Sequence, residues 1–149
     1  MKKHILLPII ITALISGCCG SKKNCKSKEK CCYTVSSFYE SFQAPCGQKH
    51  AREDELMWVS GVVDEANIFT NVSYSYDKFF VKSADGKQMV EVKVETTDNA
   101  TLFKTIKENA GKEVCVQGKL TGFDAPVNGN CKRAFKLTLT DAAGFKGKK

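Results

Sequence analysis

The chain has 149 residues, eight cysteines and a formal net charge of +7, a length that holds one domain of ordinary size and excludes two. Between residues 56 and 145, eleven acidic side chains cancel eleven basic ones. The basic excess therefore belongs to the chain ends, which argues against the basic folded face of an ordinary nucleic-acid-binding domain.

Lys2 and Lys3 precede an apolar run from Ile5 to Ile15, broken only by Pro8 and Thr12. The run is too short to span a bilayer, which takes about 20 apolar residues, and has the length of a secretory h-region. It ends in Ile15-Ser16-Gly17-Cys18, which resembles the lipobox of bacterial lipoproteins. That resemblance implies a signal peptide over 1–17, cleavage before Cys18, and acyl chains such as palmitate on the Cys18 thiol. Several chains on one residue anchor a protein where a single one does not, so the first partner implied is a lipid bilayer. Residue 19 is Cys, not the Asp that retains some lipoproteins in the inner membrane, and the run after it is basic. The family rule then gives a bacterial envelope location, at the outer membrane and facing the periplasm.

Residues 18–32 are Lys, Ser and Cys with almost nothing apolar, too polar to fold alone, and read as a tether. Its lysines (22, 23, 26, 28 and 30), with Lys146, Lys148 and Lys149 in a basic tail at 146–149, are solvated charge within reach of anionic headgroups. Cys19, Cys25, Cys31 and Cys32 offer an alternative function in thiol exchange or soft-metal binding, although the spacing is not that of a zinc knuckle and no histidine joins it. Residues 33–55 carry Tyr33, Val35, Phe38, Tyr39 and Phe42, then a Pro45-Cys46-Gly47 turn. The aromatics predict a segment packed on the domain, helix or strand being undecided, and Arg52 to Glu55 reads as exposed charge.

A β-domain is predicted over 56–145. Met57 to Val63 reads as a strand in which Gly61 marks a bend. Phe79 to Lys82 is the next, Asp85-Gly86 is a hairpin signal, and Val90, Val92 and Val94 alternate with polar residues in the third. Leu102, Phe103 and Ile106 then recur at helical spacing, with Asp98 or Asn99 as cap and Gly111 past the end. A fourth strand carries Val114, Val116, Gly118 and Leu120 on one face. A loop spans about 123–131, and Phe135, Leu137 and Leu139 point inward from a fifth strand.

Three strands, a helix and two strands is the order of the OB-fold, a five-stranded Greek-key barrel. The string from Gly111 to Gly122, with its Gly-x-x-Val-x-Val-x-Gly pattern, resembles the fourth strand of bacterial OB domains. The chain over 56–142 therefore resembles small exported OB-fold lipoproteins of the tRNA-anticodon-like group, a mainly β barrel with its helix between strands three and four.

Such barrels bind ligands on the face of strands two and three, between the first-to-second and fourth-to-fifth loops, here about 66–77 and 123–131. Tyr74 and Tyr76 are the loop aromatics able to stack on a ligand. Phe80, Lys132 and Arg133 join them, with Phe69, Lys78 and Lys82 nearby, while Phe79 and Trp58 read as packing residues. The neutral domain and the export signal disfavour nucleic acid and point to an envelope protein, peptide or glycan, held by a binding module that is not an enzyme. His50 is read as exposed, no catalytic or cofactor motif stands out, and no cofactor or metal is assigned. Among Cys46, Cys115 and Cys131 a disulfide is expected. With Thr121 opposite Ala134, Cys115 and Cys131 lie some nine positions apart, about 30 Å along a strand, against the ~7 Å a disulfide tolerates. Cys46 is therefore the partner of one of them.

Overall fold

The computed structural model describes residues 33–70 and 75–148, leaving aside the side chain of Val127. The signal, the lipid site at Cys18, the tether cysteines and Tyr74 lie outside the described residues. The elements in chain order are β1 (Tyr33–Thr34), α1 (Val35–Ser41), β2 (Leu56–Phe69), β3 (Lys78–Lys82), β4 (Met89–Val94), α2 (Asn99–Glu108), β5 (Glu113–Val127), β6 (Asn130–Leu139) and β7 (Phe145–Gly147).

Alternation decides the inner wall. Met57, Val59 and Val63 of β2, Phe79 and Val81 of β3, and Val90, Val92 and Val94 of β4 are buried, as are Val114, Val116 and Leu120 of β5 and Phe135, Leu137 and Leu139 of β6. The hydrogen-bonded order is β2-β3-β4-β6-β5, and β5 returns to β2. β4 and β6 run parallel, Val92 beside Leu137, and β2 pairs antiparallel with β5 from Leu56–Lys119 to Val62–Glu113. This is the closed Greek-key path of the OB-fold. The expected helix lies between the third and fourth barrel strands, its Asp98 cap accepting the Thr101 N–H at 3.0 Å, and Gly111 follows with a φ of 73°. Among the described residues no helix is long and apolar enough to cross a membrane.

β2 bends to serve both sides of the barrel, pairing with β5 over its first half and with β3 beyond Val62. Gly61 sits at the bend for want of room: a Cβ there would lie 2.8 Å from both the Lys82 carbonyl oxygen and Val35 Cγ2. The strand continues past the expected Val63 to Phe69, so the loop expected at 66–77 begins later. The loop expected at 123–131 is corrected as well. β5 and β6 extend into a hairpin arm closed by Asn128 and Gly129, with φ of 50° and 77°. Two successive positive φ values make the type I′ turn that matches strand twist. The register also differs by two residues from the expected one: Thr121 faces Lys136, and Phe123 faces Ala134. A shift of two keeps every side chain on its face, which is why the inward set was read correctly.

The segment before the barrel is both strand and helix. β1 adds in parallel to β2, Tyr33 beside Val59. Thr34 then caps α1 by accepting the Ser37 N–H. Val35, Phe38 and Phe42 are buried in the same core as the barrel strands. The Tyr39 hydroxyl donates to the carbonyl of Met89, the first residue of β4, whereas Asn99 at the start of α2 reaches Asp77 just before β3. β3 and β4 are antiparallel, Lys82 beside Met89 and Lys78 beside Lys93, so the two helices close opposite ends of the barrel. The expected basic tail is also folded in part, because Phe145–Gly147 pairs with Val114–Val116 of β5.

If α1 is a plug of the core, Phe38→Ala should cost about 3–5 kcal/mol, as for a buried Phe elsewhere. Chemical denaturation measures this, and a loss below ~1 kcal/mol would show that α1 is an appendage.

Candidate functional site

The outer faces of β3, β4 and β6 form the site. With Phe79 and Val81 inward, β3 presents Lys78, Phe80 and Lys82 outward. β4 likewise presents Glu91 and Lys93, and β6 presents Lys136. Pairing sets Lys78 beside Lys93 and Phe80 beside Glu91, and the parallel β4–β6 pairing brings Lys136 level with Glu91.

Tyr76, in the bend before β3, folds across these strands. Its hydroxyl donates to Glu91 Oε1 at 2.5 Å and accepts from Lys136 Nζ at 2.6 Å. Its ring is surrounded by ammonium groups: Lys136 Nζ at 4.4 Å from the centroid, Lys93 at 4.9 Å and Lys78 at 5.4 Å. Lys78 also lies 5.7 Å from the Phe69 ring and 5.8 Å from Phe80, which meet edge-on. Lys136 lies 5.3 Å from Phe123, whose side chain is exposed on the arm. Aromatic rings and cations thus alternate along one stripe: Phe69 and Phe80, Lys78, Tyr76, Lys136, Phe123. The central anion is Glu91, 3.4 Å from Lys78 and 3.7 Å from Lys136. Glu95 holds Lys93 at the rim. Burial, followed by the hydrogen bond to Glu91, raises the Tyr76 phenol above its ordinary pKa, so it stays protonated at neutral pH. The stripe can stack planar groups and neutralise anions.

Of the residues singled out in the sequence, Tyr76 and Phe80 meet here. Lys132 is on the Lys136 face of β6, four residues further out along the arm. Arg133 is elsewhere: its parity puts it on the arm's other face, where it serves the fold. There it donates to both Glu53 oxygens, at 2.8 and 3.0 Å from Nη2, and to Asp124 at 3.1 Å. The Glu53 side chain is only 7 % exposed and that of Arg133 15 %, so the expected run of exposed charge at 52–55 is corrected at Glu53. His50 is also not simply exposed: it packs edge-on against Phe42 and Phe135, and its Nδ1 accepts the Arg52 N–H. Phe79 is fully buried, whereas Trp58 is a half-buried residue of the outer wall.

Cys46 bridges to Cys131, with Cα atoms 5.6 Å apart, and fastens the 42–50 loop to the arm. Cys115 is disulfide-bonded too, to neither of these. The Cys46 and Cys131 sulfurs and the Asp124 carboxylate lie close together, but the sulfurs are spent on each other.

Sequence reasoning missed Lys93, Lys136, Phe123 and Glu91 as members of the stripe. The signals were present. Asn128-Gly129 is a hairpin dipeptide, and reading it would have extended the strands and put Phe123 on a sheet face.

No protein-family model matches the chain, and no curated protein matches it. Solved structures that align with it include a mitochondrial single-stranded DNA-binding protein of S. cerevisiae, 18% identical over 65% of this chain and 97% of that one, with a TM-score of 0.46. A Plasmodium falciparum SSB in complex with ssDNA is 16% identical over 68% of this chain and 95% of that one, with a TM-score of 0.40. Likeness at this level concerns the barrel. Two expectations are nevertheless corrected, on this barrel's own cationic and aromatic face around Tyr76. The protein, peptide or glycan ligand is withdrawn, together with the thiol and metal alternative, and the neutral charge count no longer disfavours nucleic acid, because lysines of three strands surround one ring. The neutral charge count misled because, although Glu91 and Glu95 lie within the site, several other acids are spent elsewhere. Asp85 organises the β3–β4 turn, Asp98 caps α2, Asp141 caps the short 3-10 turn before β7 and Asp124 holds Arg133.

The lock between Arg133 and Glu53 makes a pH prediction. Hydrogen bonds from Arg133 are the main cause holding the Glu53 carboxyl below its ordinary value of 4.5. A depressed carboxyl stabilises the fold above its unfolded pKa and loses that contribution as pH falls through its folded one. The melting temperature should therefore drop as pH falls below about 4.5. Glu53→Gln should melt lower at neutral pH and show a smaller acid drop. Thermal melts across pH 2–7 measure both, and parallel curves would refute the lock.

Proposed function

We propose that this chain is an exported, lipid-anchored OB-fold protein of the bacterial envelope that binds single-stranded nucleic acid on the outer face of β3, β4 and β6. It acts by binding, not by catalysis. The observation that carries the reading is the ring of three ammonium groups around Tyr76, continued by Phe69 and Phe80 on one side and Phe123 on the other. A single strand offers what this stripe complements: unpaired bases with exposed π-faces, and a phosphate at each step. Aromatic stacking contributes about 1–3 kcal/mol per base and tolerates any sequence. A duplex hides those base faces, so the preference should be for single strands.

Acylation of Cys18 would hold the barrel at the membrane, with the 18–32 tether as spacer. The residues after Cys18 support the outer membrane and its periplasmic side. Intact mass of membrane-extracted protein should show cleavage before Cys18 and a bound acyl mass; an unmodified Cys18 would remove the anchor from the reading.

Fluorescence anisotropy with labelled oligothymidylate tests the ligand. Binding should weaken with salt, with a logarithmic slope of about −2 if three phosphates are neutralised. Duplex of the same length should bind more weakly. Tyr76→Ala combined with Lys136→Ala should reduce affinity at least tenfold while circular dichroism stays unchanged. Equal binding by the double variant, or no binding by the wild type at low salt, would overturn the proposal.

A further inference from the structure

Another cation–aromatic contact, between Lys146 and Trp58, lies on the wall away from Tyr76. Four strands run side by side there, and their pairings align in rows. Tyr33 of β1 lies beside Val59 of β2, which lies beside Val116 of β5, which lies beside Phe145 of β7; Thr34, Ser60, Cys115 and Lys146 form the next row. The chain therefore enters the fold at β1 and leaves it at β7 on one wall. The sequence places five lysines between residues 22 and 30, just before β1, and Lys146, Lys148 and Lys149 in and after β7. In the sequence these are two separate basic ends; in the fold the strands they adjoin, β1 and β7, belong to the same wall.

That surface has apolar groups for an interface. Leu56 is 63% exposed, Trp58 is half-buried on the outer side of β2, and Lys146 Nζ sits 5.1 Å from the Trp58 ring centroid. Lys119, opposite Leu56, adds another cation beside Asp54. Lys148 pairs with Glu113. An exposed leucine and a tryptophan among lysines are the groups that settle at the headgroup boundary, where tryptophan is enriched and basic residues are attracted to anionic lipid.

We infer that the wall of β1, β2, β5 and β7 docks on an anionic lipid bilayer, with Trp58 at the contact. The lipid anchor proposed above only brings this wall near a membrane, and the nucleic-acid reading plays no part in the argument. Docked this way, the barrel turns its Tyr76 face toward solvent.

Trp58 is the only tryptophan in the chain, so its fluorescence reports the contact directly. The mature protein would be mixed with vesicles of brominated phosphatidylcholine, with and without phosphatidylglycerol. Docking predicts quenching of Trp58 on the anionic vesicles alone. High salt should reverse it, because exposed charges are screened, and Lys146→Glu with Lys148→Glu should abolish it at unchanged circular dichroism. Equal quenching on both vesicles, or none on either, would overturn the inference. Retention on neutral vesicles reads the lipid anchor separately, so the two ideas fail independently.

Discussion

The structure depends on one strand doing two jobs. β2 must pair with β3 on one edge and with β5 on the other, and only a bend lets fourteen residues do both. Gly61 allows it, because the neighbouring Lys82 carbonyl and the Val35 side chain occupy the space any Cβ would need. Without that bend the sheet stays open, β4 and β6 have no reason to meet, and α1 has no end to plug. Closure also removes free edges, which an open sheet of this size would expose.

Closure then sets where charge and aromatics go. Alternating strands send every second residue outward, and the valines and leucines between them are fixed by the core. Lys78, Phe80, Glu91, Lys93 and Lys136 are therefore placed by their neighbours' need for burial. Their convergence under Tyr76 follows from register: the antiparallel β3–β4 pairing and the parallel β4–β6 pairing put the ammonium groups of three strands within reach of one ring. The arm is a separate device. It leaves the barrel beyond Leu120 and is braced by the Cys46–Cys131 bridge and by the Arg133 guanidinium between Glu53 and Asp124. The guanidinium ties the arm to the loop that carries Glu53, beside the strand position of Phe123.

Much of this was legible in the sequence. The barrel strands, the helix between the third and fourth, its Asp98 cap and the inward set of β4, β5 and β6 all follow from local alternation and capping chemistry. What misread was long-range or subtle. Arg133 looked like a ligand contact because it lies next to Lys132, but one residue along a strand is the opposite face, and its partner Glu53 is eighty positions away. His50 looked exposed because nothing in Lys49-His50-Ala51-Arg52 announces Phe42 and Phe135. The arm was taken for a loop because its Asp, Pro, Asn and Gly were weighed as a composition, when Asn128-Gly129 as a pair is a turn between strands.

The sequence by itself determined which residues of the barrel strands and of α2 point inward, because that follows from a period of two or 3.6 that each segment carries on its own. It also pointed to Cys46 as the partner of either Cys115 or Cys131, because strand geometry separates those two, and left open which. Only the tertiary structure decided which charges become neighbours. Net charge is a sum over the chain and is blind to direction, whereas a closed barrel has faces. Folding put lysines of three strands around Tyr76 and Lys146 beside Trp58, and it spent several of the acids on caps, turns and the arm.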